Sequence, residues 1–201
     1  MASARRMNEG EQYVIGGKTL SEHGRARREL AAEKYRPNKT CILFVAEAPP
    51  DSVDRYFYYE HVKCEDWLWI ALMKALYPSK WGRTTERERQ RKAWWLLEFQ
   101  KSGFLLIDAV KEPICGGNRK RVKLIDSAAH DLIAEIQKIK PKQIVLIKAT
   151  VYKALFDKLR DGGFPVVNEK SLPFPSSGRQ SEFAVEFRRL VDTGRLLLCS
   201  T

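Results

Sequence analysis

The segment Ile42-Leu43-Phe44-Val45-Ala46-Glu47-Ala48-Pro49-Pro50 constrains this chain more than any other. Its first five residues are apolar and suited to a buried strand. The two prolines that follow have no amide hydrogen and a fixed φ, so they forbid the strand from continuing. A carboxylate therefore stands where the strand must stop. In an open α/β sheet the carboxyl ends of strands form the ligand-binding edge. Glu47, on a proline-stiffened loop at that edge, is a candidate for chemistry.

The rest of the chain alternates strand and helix patterns. Strand signals cover residues 41–46, 104–110 (FLLIDAV), 143–147 (QIVLI) and 165–167 (PVV). Helical patterns cover residues 65–76, 85–101, 124–139 and 151–159, with a last helix at 181–191. Helices of this length between strands imply parallel pairing with right-handed crossovers. The expected architecture is a three-layer α/β/α sandwich around a central parallel four-stranded sheet. Residues 1–39 are polar and basic, broken at Gly16-Gly17 and stopped by Pro37, with a helix expected over 21–35 behind Ser21 as N-cap. They form a basic N-terminal arm or helix, and residues 40–201 a single α/β domain.

Net charge is +11 and the pI about 9.6. Such a balance points to a polyanionic partner. No stretch approaches the ~18 apolar residues of a membrane span, and no apolar segment follows Arg5 and Arg6 to make a secretory signal. A cytoplasmic, monomeric protein binding nucleic acid is expected. Cys41, Cys64, Cys115 and Cys199 lie far apart without a C-x-x-C pair, which argues against zinc or an iron–sulfur cluster and for buried, reduced thiols. Residues 80–92 carry six basic residues against two acids and read as a solvated helix face. Residues 118–123 carry four basic residues and read as a loop near the ligand edge, where Arg119, Lys120 and Arg121 can meet phosphate.

Four segments together resemble the uracil-DNA glycosylase superfamily, over roughly residues 40–195. Ala46-Glu47-Ala48-Pro49 looks like the first motif, whose branches read G-E-A-P-G, G-Q-D-P-Y or G-x-N-P-G. The run from Leu105 to Pro113 looks like the second strand, which usually ends in Asn before a V-K-x-x-P-like run. Residues 141–147, with Ala149 and Leu155, resemble the third strand and its helix. Pro173-Phe174-Pro175-Ser176-Ser177-Gly178-Arg179-Gln180 looks like the terminal H-P-S or N-P-S-G loop. Three departures mark a divergent branch. The cluster-binding cysteines of the thermophilic branch are absent, Phe174 stands for the motif His or Asn, and Asp108 stands for the Asn that reads uracil.

The resemblance implies N-glycosidic bond cleavage on an everted nucleotide. Such a reaction passes through an oxocarbenium-like sugar while negative charge grows on the base. Glu47, ionised beneath the sugar, is the expected stabiliser of that cation. Phe57 or Tyr58, in the aromatic run after the first motif, is the expected stacking platform, a contact worth about 1–3 kcal/mol. Phe174 also falls at the base. In the last motif, Ser176, Ser177 and Gly178 let a backbone approach phosphate, and Arg179 pairs with phosphate or wedges into the gap. Asp108 is the informative substitution. A carboxylate cannot donate to O4 of uracil, whereas a protonated carboxyl accepts from the cytosine N4 amine and donates to N3. Apolar neighbours would raise its pKa toward that state.

A glycosylase for plain cytosine would damage its own genome. A modified cytosine, such as a hydroxymethylated or glucosylated phage base, is the substrate this reasoning favours, with antiphage defence as its setting. Two alternatives stay open: a repair glycosylase for uracil or another deaminated base, and a non-catalytic nucleic-acid-binding protein. No phosphate-cradling glycine loop or metal-ligand cluster is present, so no cofactor or metal is expected. Lys148, just after the third strand, is the nearest amine for a lyase step.

Overall fold

The structure is a computed structural model that describes residues 14–15, 18–82, 84–176 and 178–198, with side chains from residue 23 onward. Its elements run β1 (Val14–Ile15), β2 (Lys18–Thr19), α1 (Leu20–Lys34), β3 (Ile42–Ala46), α2 (Trp67–Leu76), α3 (Thr85–Gln90), α4 (Lys92–Lys101), β4 (Phe104–Asp108), α5 (Asn118–Ile139), β5 (Gln143–Leu146), α6 (Ala149–Asp161) and α7 (Gln180–Asp192). The first two strands form a small antiparallel pair that the sequence pattern did not suggest.

The main sheet is open, parallel and three-stranded, in the order β4-β3-β5. Its register sets Ile42 opposite Phe104 and Gln143, and Ala46 opposite Asp108. Every residue of β3 and β4 is buried, as continuous apolar runs require when a parallel sheet is covered on both faces. Phe44 is central: its ring meets Phe99 of α4, Phe104 of β4 and Phe187 of α7. α5 is amphipathic, burying Ile125, Ala129, Leu132 and Ile136 on one stripe, and it packs against α6.

The expected strand at 165–167 is reduced to isolated parallel bridges, Val166 to Ile144 and Leu172 to Ile147. Pro165 has no N–H to give to a ladder, and between the bridges the Asn168 side chain takes the place of backbone. Its Oδ1 accepts from Leu146 N–H (2.9 Å), and its Nδ2 donates to the Leu146 carbonyl (2.9 Å). The opposite edge has a matching device. Tyr58 Oη accepts from Leu106 N–H (2.8 Å) and donates to the Leu106 carbonyl (3.0 Å). Buried side chains thus satisfy backbone groups that an open sheet would leave unpaired.

Helix boundaries depart from the sequence pattern in two informative places. The single helix expected over 85–101 breaks at Arg91 (φ −99°, ψ 18°) into α3 and α4. There the supposed solvated face turns inward. Lys92 is fully buried, donating to the Tyr56 carbonyl (3.2 Å) and to Asp66 Oδ2 (3.4 Å), while buried Glu88 accepts from Trp95 Nε1 (2.8 Å). Paired charges can occupy a core that periodicity assigns to solvent. The other departure is α5, which begins at Asn118, so residues 118–123 are helix and not a loop.

Cysteine usage also differs from expectation: Cys64 and Cys115 are exposed, and Cys41 is disulfide-bonded. α1 lies against the sheet-bearing body, where Tyr35 stacks on Tyr58 and Arg28 Nη2 donates to the Lys111 carbonyl (3.1 Å) and Glu112 Oε2 (3.2 Å). Among the described residues, no helix is long and apolar enough to cross a membrane.

The edge contacts give a direct test. Tyr58→Phe strands a buried Leu106 N–H, and should lower unfolding free energy by about 1–3 kcal/mol in urea denaturation. A variant as stable as the parent would show that water replaces the phenol at this edge.

Candidate active site

The parallel pairing of β3 with β4 ends at Ala46 and Asp108 and continues through two backbone bonds, Ala109 N–H to the Ala46 carbonyl (2.8 Å) and Val110 N–H to the Glu47 carbonyl (3.0 Å). Glu47 and Asp108 are thereby carried to one end of the sheet. Both line a cavity of about 290 Å³, walled by the prolines of the first motif, Tyr56, Phe57, Asp66, Trp67, Ile114, Arg121, Lys148, Phe174 and Ser176.

Glu47 is 5% exposed and fully engaged. Its Oε2 accepts from Arg121 Nη1 and Lys148 Nζ, each at 2.5 Å, and its Oε1 accepts from Thr150 Oγ1 at 2.5 Å. Burial is the largest single influence on its carboxyl and acts to raise the pKa. The hydrogen bonds from Lys148 and Thr150, with the charges of Lys148 and Arg121, outweigh it and hold Glu47 below the usual carboxylate range. Glu47 is an anion throughout the neutral range.

Asp108 is the opposite case. It is 8% exposed, and its carboxyl receives no hydrogen bond from any described residue. Burial pushes its pKa from 3.8 up to about 7, against the pull of Lys111 and Arg28 and with help from the nearby Asp66 and Glu47 charges. Near neutrality, then, the cavity holds one carboxylate and one carboxyl that still carries its proton for much of the time. Environments that drive two carboxyl groups apart in this way divide acid from base roles.

The two cations on Glu47 come from different elements. Arg121 reaches from the start of α5, and its guanidinium is locked by the Gly116 (2.7 Å) and Ile114 (2.8 Å) carbonyls as well as by Glu47. The expected phosphate contact is corrected at this residue: all three of its nitrogens are spent inside the protein. Its neighbours Arg119 and Lys120 remain exposed. Lys148 directly follows the sheet-edge residues and caps α6 with φ 83°. A left-handed conformation at a non-glycine residue costs on the order of 1–3 kcal/mol and tends to persist at functional sites. It is held by Lys148 N–H donating to the Leu172 carbonyl (2.7 Å).

Among the aromatic candidates, Phe57 and Phe174 line the cavity, with the Lys148 ammonium 5.6 Å from the Phe174 ring centre. Tyr58 does not line it. Its ring is buried on Tyr35 and its hydroxyl braces β4, so, contrary to the sequence expectation, it is not placed to stack on a ligand in the cavity. Tyr56, which the sequence does not single out, lines the same cavity as Asp108; burial, then the Asp108 charge, raises its pKa. Trp67, 39% exposed, sits at the start of α2 on the same cavity. Which ring of residues 55–59 faces in was not legible, because a loop has no periodicity to assign faces. Thr150, the second residue of α6, carries no sequence signal of its own.

The last motif stands beside this cavity. Ser176 lines both it and an adjoining open groove of about 820 Å³, which also takes in Asn118, Lys170 and Arg179. Gly178 adopts φ 83°, and Arg179 pairs with Glu182 (2.7 Å) at the start of α7. Ser177 lies outside the described residues. The described residues hold no group of His, Cys, Asp and Glu arranged for a metal ion. Neither a family model nor a curated protein matches the chain.

The Asp108 environment has a stability consequence. Its folded pKa of about 7 lies above the ordinary 3.8, so the folded state holds the proton more tightly, and the associated stability is lost as pH rises from about 4 through 7. Asp108→Asn removes that loss. It should raise the unfolding free energy near pH 8 by about 2–4 kcal/mol, at about 1.4 kcal/mol per pKa unit, with the gain vanishing toward pH 4. Urea titrations at both pH values check this, and a pH-independent difference would contradict it.

Proposed function

We propose that the protein is a DNA glycosylase of the uracil-DNA glycosylase type that releases an everted, modified cytosine and leaves an abasic site. The observation that carries this reading is the shared cavity in which Glu47 is held ionised and Asp108 is pushed toward its protonated form. Positive charge on the chain suits a DNA partner. The finer architecture of the superfamily, four parallel strands in three layers, is part of the same proposal, as are an antiphage role, a monomeric state and a cytoplasmic setting.

In this mechanism Glu47 lies beneath the sugar and stabilises the oxocarbenium-like transition state, while orienting the attacking water. Phosphates flanking the flipped nucleotide are counter-ions for Lys148 and the exposed Arg119 and Lys120, which leaves more of the Glu47 charge for the sugar. Protonated Asp108 donates to N3 of the base and accepts from the N4 amine, and its proton offsets the negative charge on the departing base. Phe57 and Tyr56 bound the base, with Phe174 facing them across the motifs. Ionised Asp108 has no donor for O4 of uracil, whereas its protonated form can donate to N3 of cytosine or to O4 of uracil, so the preference for a modified cytosine rests on room for its substituent as well. The adjoining groove at Ser176 offers room for a substituent on the ring.

Two measurements test the reading. Mass spectrometry of bases released from ordinary and phage DNA should show a modified cytosine, and Glu47→Ala should slow that release by about 10²–10³-fold, the usual loss when a transition-state charge partner is removed. Because Asp108 must keep its proton, release should fall as pH rises above about 7, approaching tenfold per unit. A wild type that frees uracil readily and ignores every cytosine analogue overturns the substrate assignment. Binding without any release overturns the enzyme.

A further inference from the structure

Lys148 pairs with Glu47 during base release, and its amine is also placed for chemistry on the sugar that remains. Among the described residues lining the cavity it is the only lysine; the other cationic side chains there, Arg55 and Arg121, are guanidiniums, which do not serve as nucleophiles. Its Nζ lies 2.5 Å from Glu47 Oε2, so a sugar carbon resting over Glu47 is within its reach. The side chain is 28% exposed and faces the adjoining groove as well as the cavity, so it is open to a bound strand. Its left-handed backbone, pinned to Leu172, fixes the direction from which the amine emerges.

We propose that Lys148 is a nucleophile that forms a Schiff base with the abasic sugar and gives the protein a strand-cleaving lyase activity. The inference rests on the base-release reading, which places the sugar at Glu47. After the base departs, the sugar equilibrates between its closed form and a ring-opened aldehyde. Lys148 loses a proton to solvent, and its nitrogen bonds to C1′. The carbinolamine expels water to give a protonated imine. The Glu47 carboxylate takes a proton from C2′; the electron pair of that C–H bond forms the C2′–C3′ double bond as the 3′-phosphate leaves. Hydrolysis of the imine then frees the amine. The products are a 3′-unsaturated aldehyde and a 5′-phosphate, with no oxidant or reductant consumed.

The experiment uses the full chain and an oligonucleotide with a preformed abasic site, made by a separate uracil-releasing enzyme that is then removed. With cyanoborohydride present, the imine is reduced to a stable amine linkage visible on a denaturing gel. The expected result is an adduct that maps by peptide mass spectrometry to Lys148, with strand cleavage when hydride is omitted. Lys148→Arg, which preserves the charge beside Glu47, should lower both by tenfold or more. No adduct from the wild type, an undiminished adduct in Lys148→Arg, or an adduct mapped to another amine overturns the proposal. Release of modified cytosine is scored in parallel. An adduct without base release keeps the lyase and removes the glycosylase; base release without an adduct does the reverse.

Discussion

The pairing of Ala46 with Asp108 at the end of two parallel strands is the constraint on which the site depends. Side chains alternate along a strand, so a slip of one residue would turn Asp108 away from the cavity and bring Ile107 or Ala109 to it. The apolar runs before each acid prevent that slip, since β3 and β4 are buried along their whole length and a shifted register would leave their large side chains unmatched. Hydrophobic burial in the strands thus sets the position of two carboxyl groups at their ends.

From that common starting point the two acids diverge because their neighbours differ. Glu47 meets cations and a hydroxyl delivered by α5, the Lys148 bend and α6. Asp108 shares its part of the cavity with Tyr56, Leu106 and a buried Asp66, and no described residue donates to its carboxyl. Burial of a carboxyl group disfavours its charge, and environments of that kind concentrate where chemistry is done. The neighbouring Lys92 helps hold this environment in place from α4, tying the Tyr56 carbonyl to Asp66 across the back of the cavity.

The open sheet is finished by side chains instead of strands. Tyr58 and Asn168 each return a donor and an acceptor to one residue of an edge strand. This explains why a tyrosine in the aromatic run is unavailable to a ligand, and why the fourth strand signal shrank to bridges at Val166 and Leu172.

By itself the sequence determined the α/β class, the three main strands nearly to the residue, and the placement of Glu47 and Asp108 at strand ends, because apolar runs stopped by prolines or by charge are local signals. Contacts between distant residues were decided only by tertiary structure. Arg121, read as a phosphate contact, turned inward because Glu47, 74 positions away in the chain, supplies its counter-charge. Lys92 left the solvated face for a buried acid on another element. The choice of Phe57 and Tyr56 over Tyr58 followed from which ring the β4 edge captured. Periodicity reports how a segment meets water, and a paired charge or a braced phenol escapes it because its partner is brought near only when the chain folds.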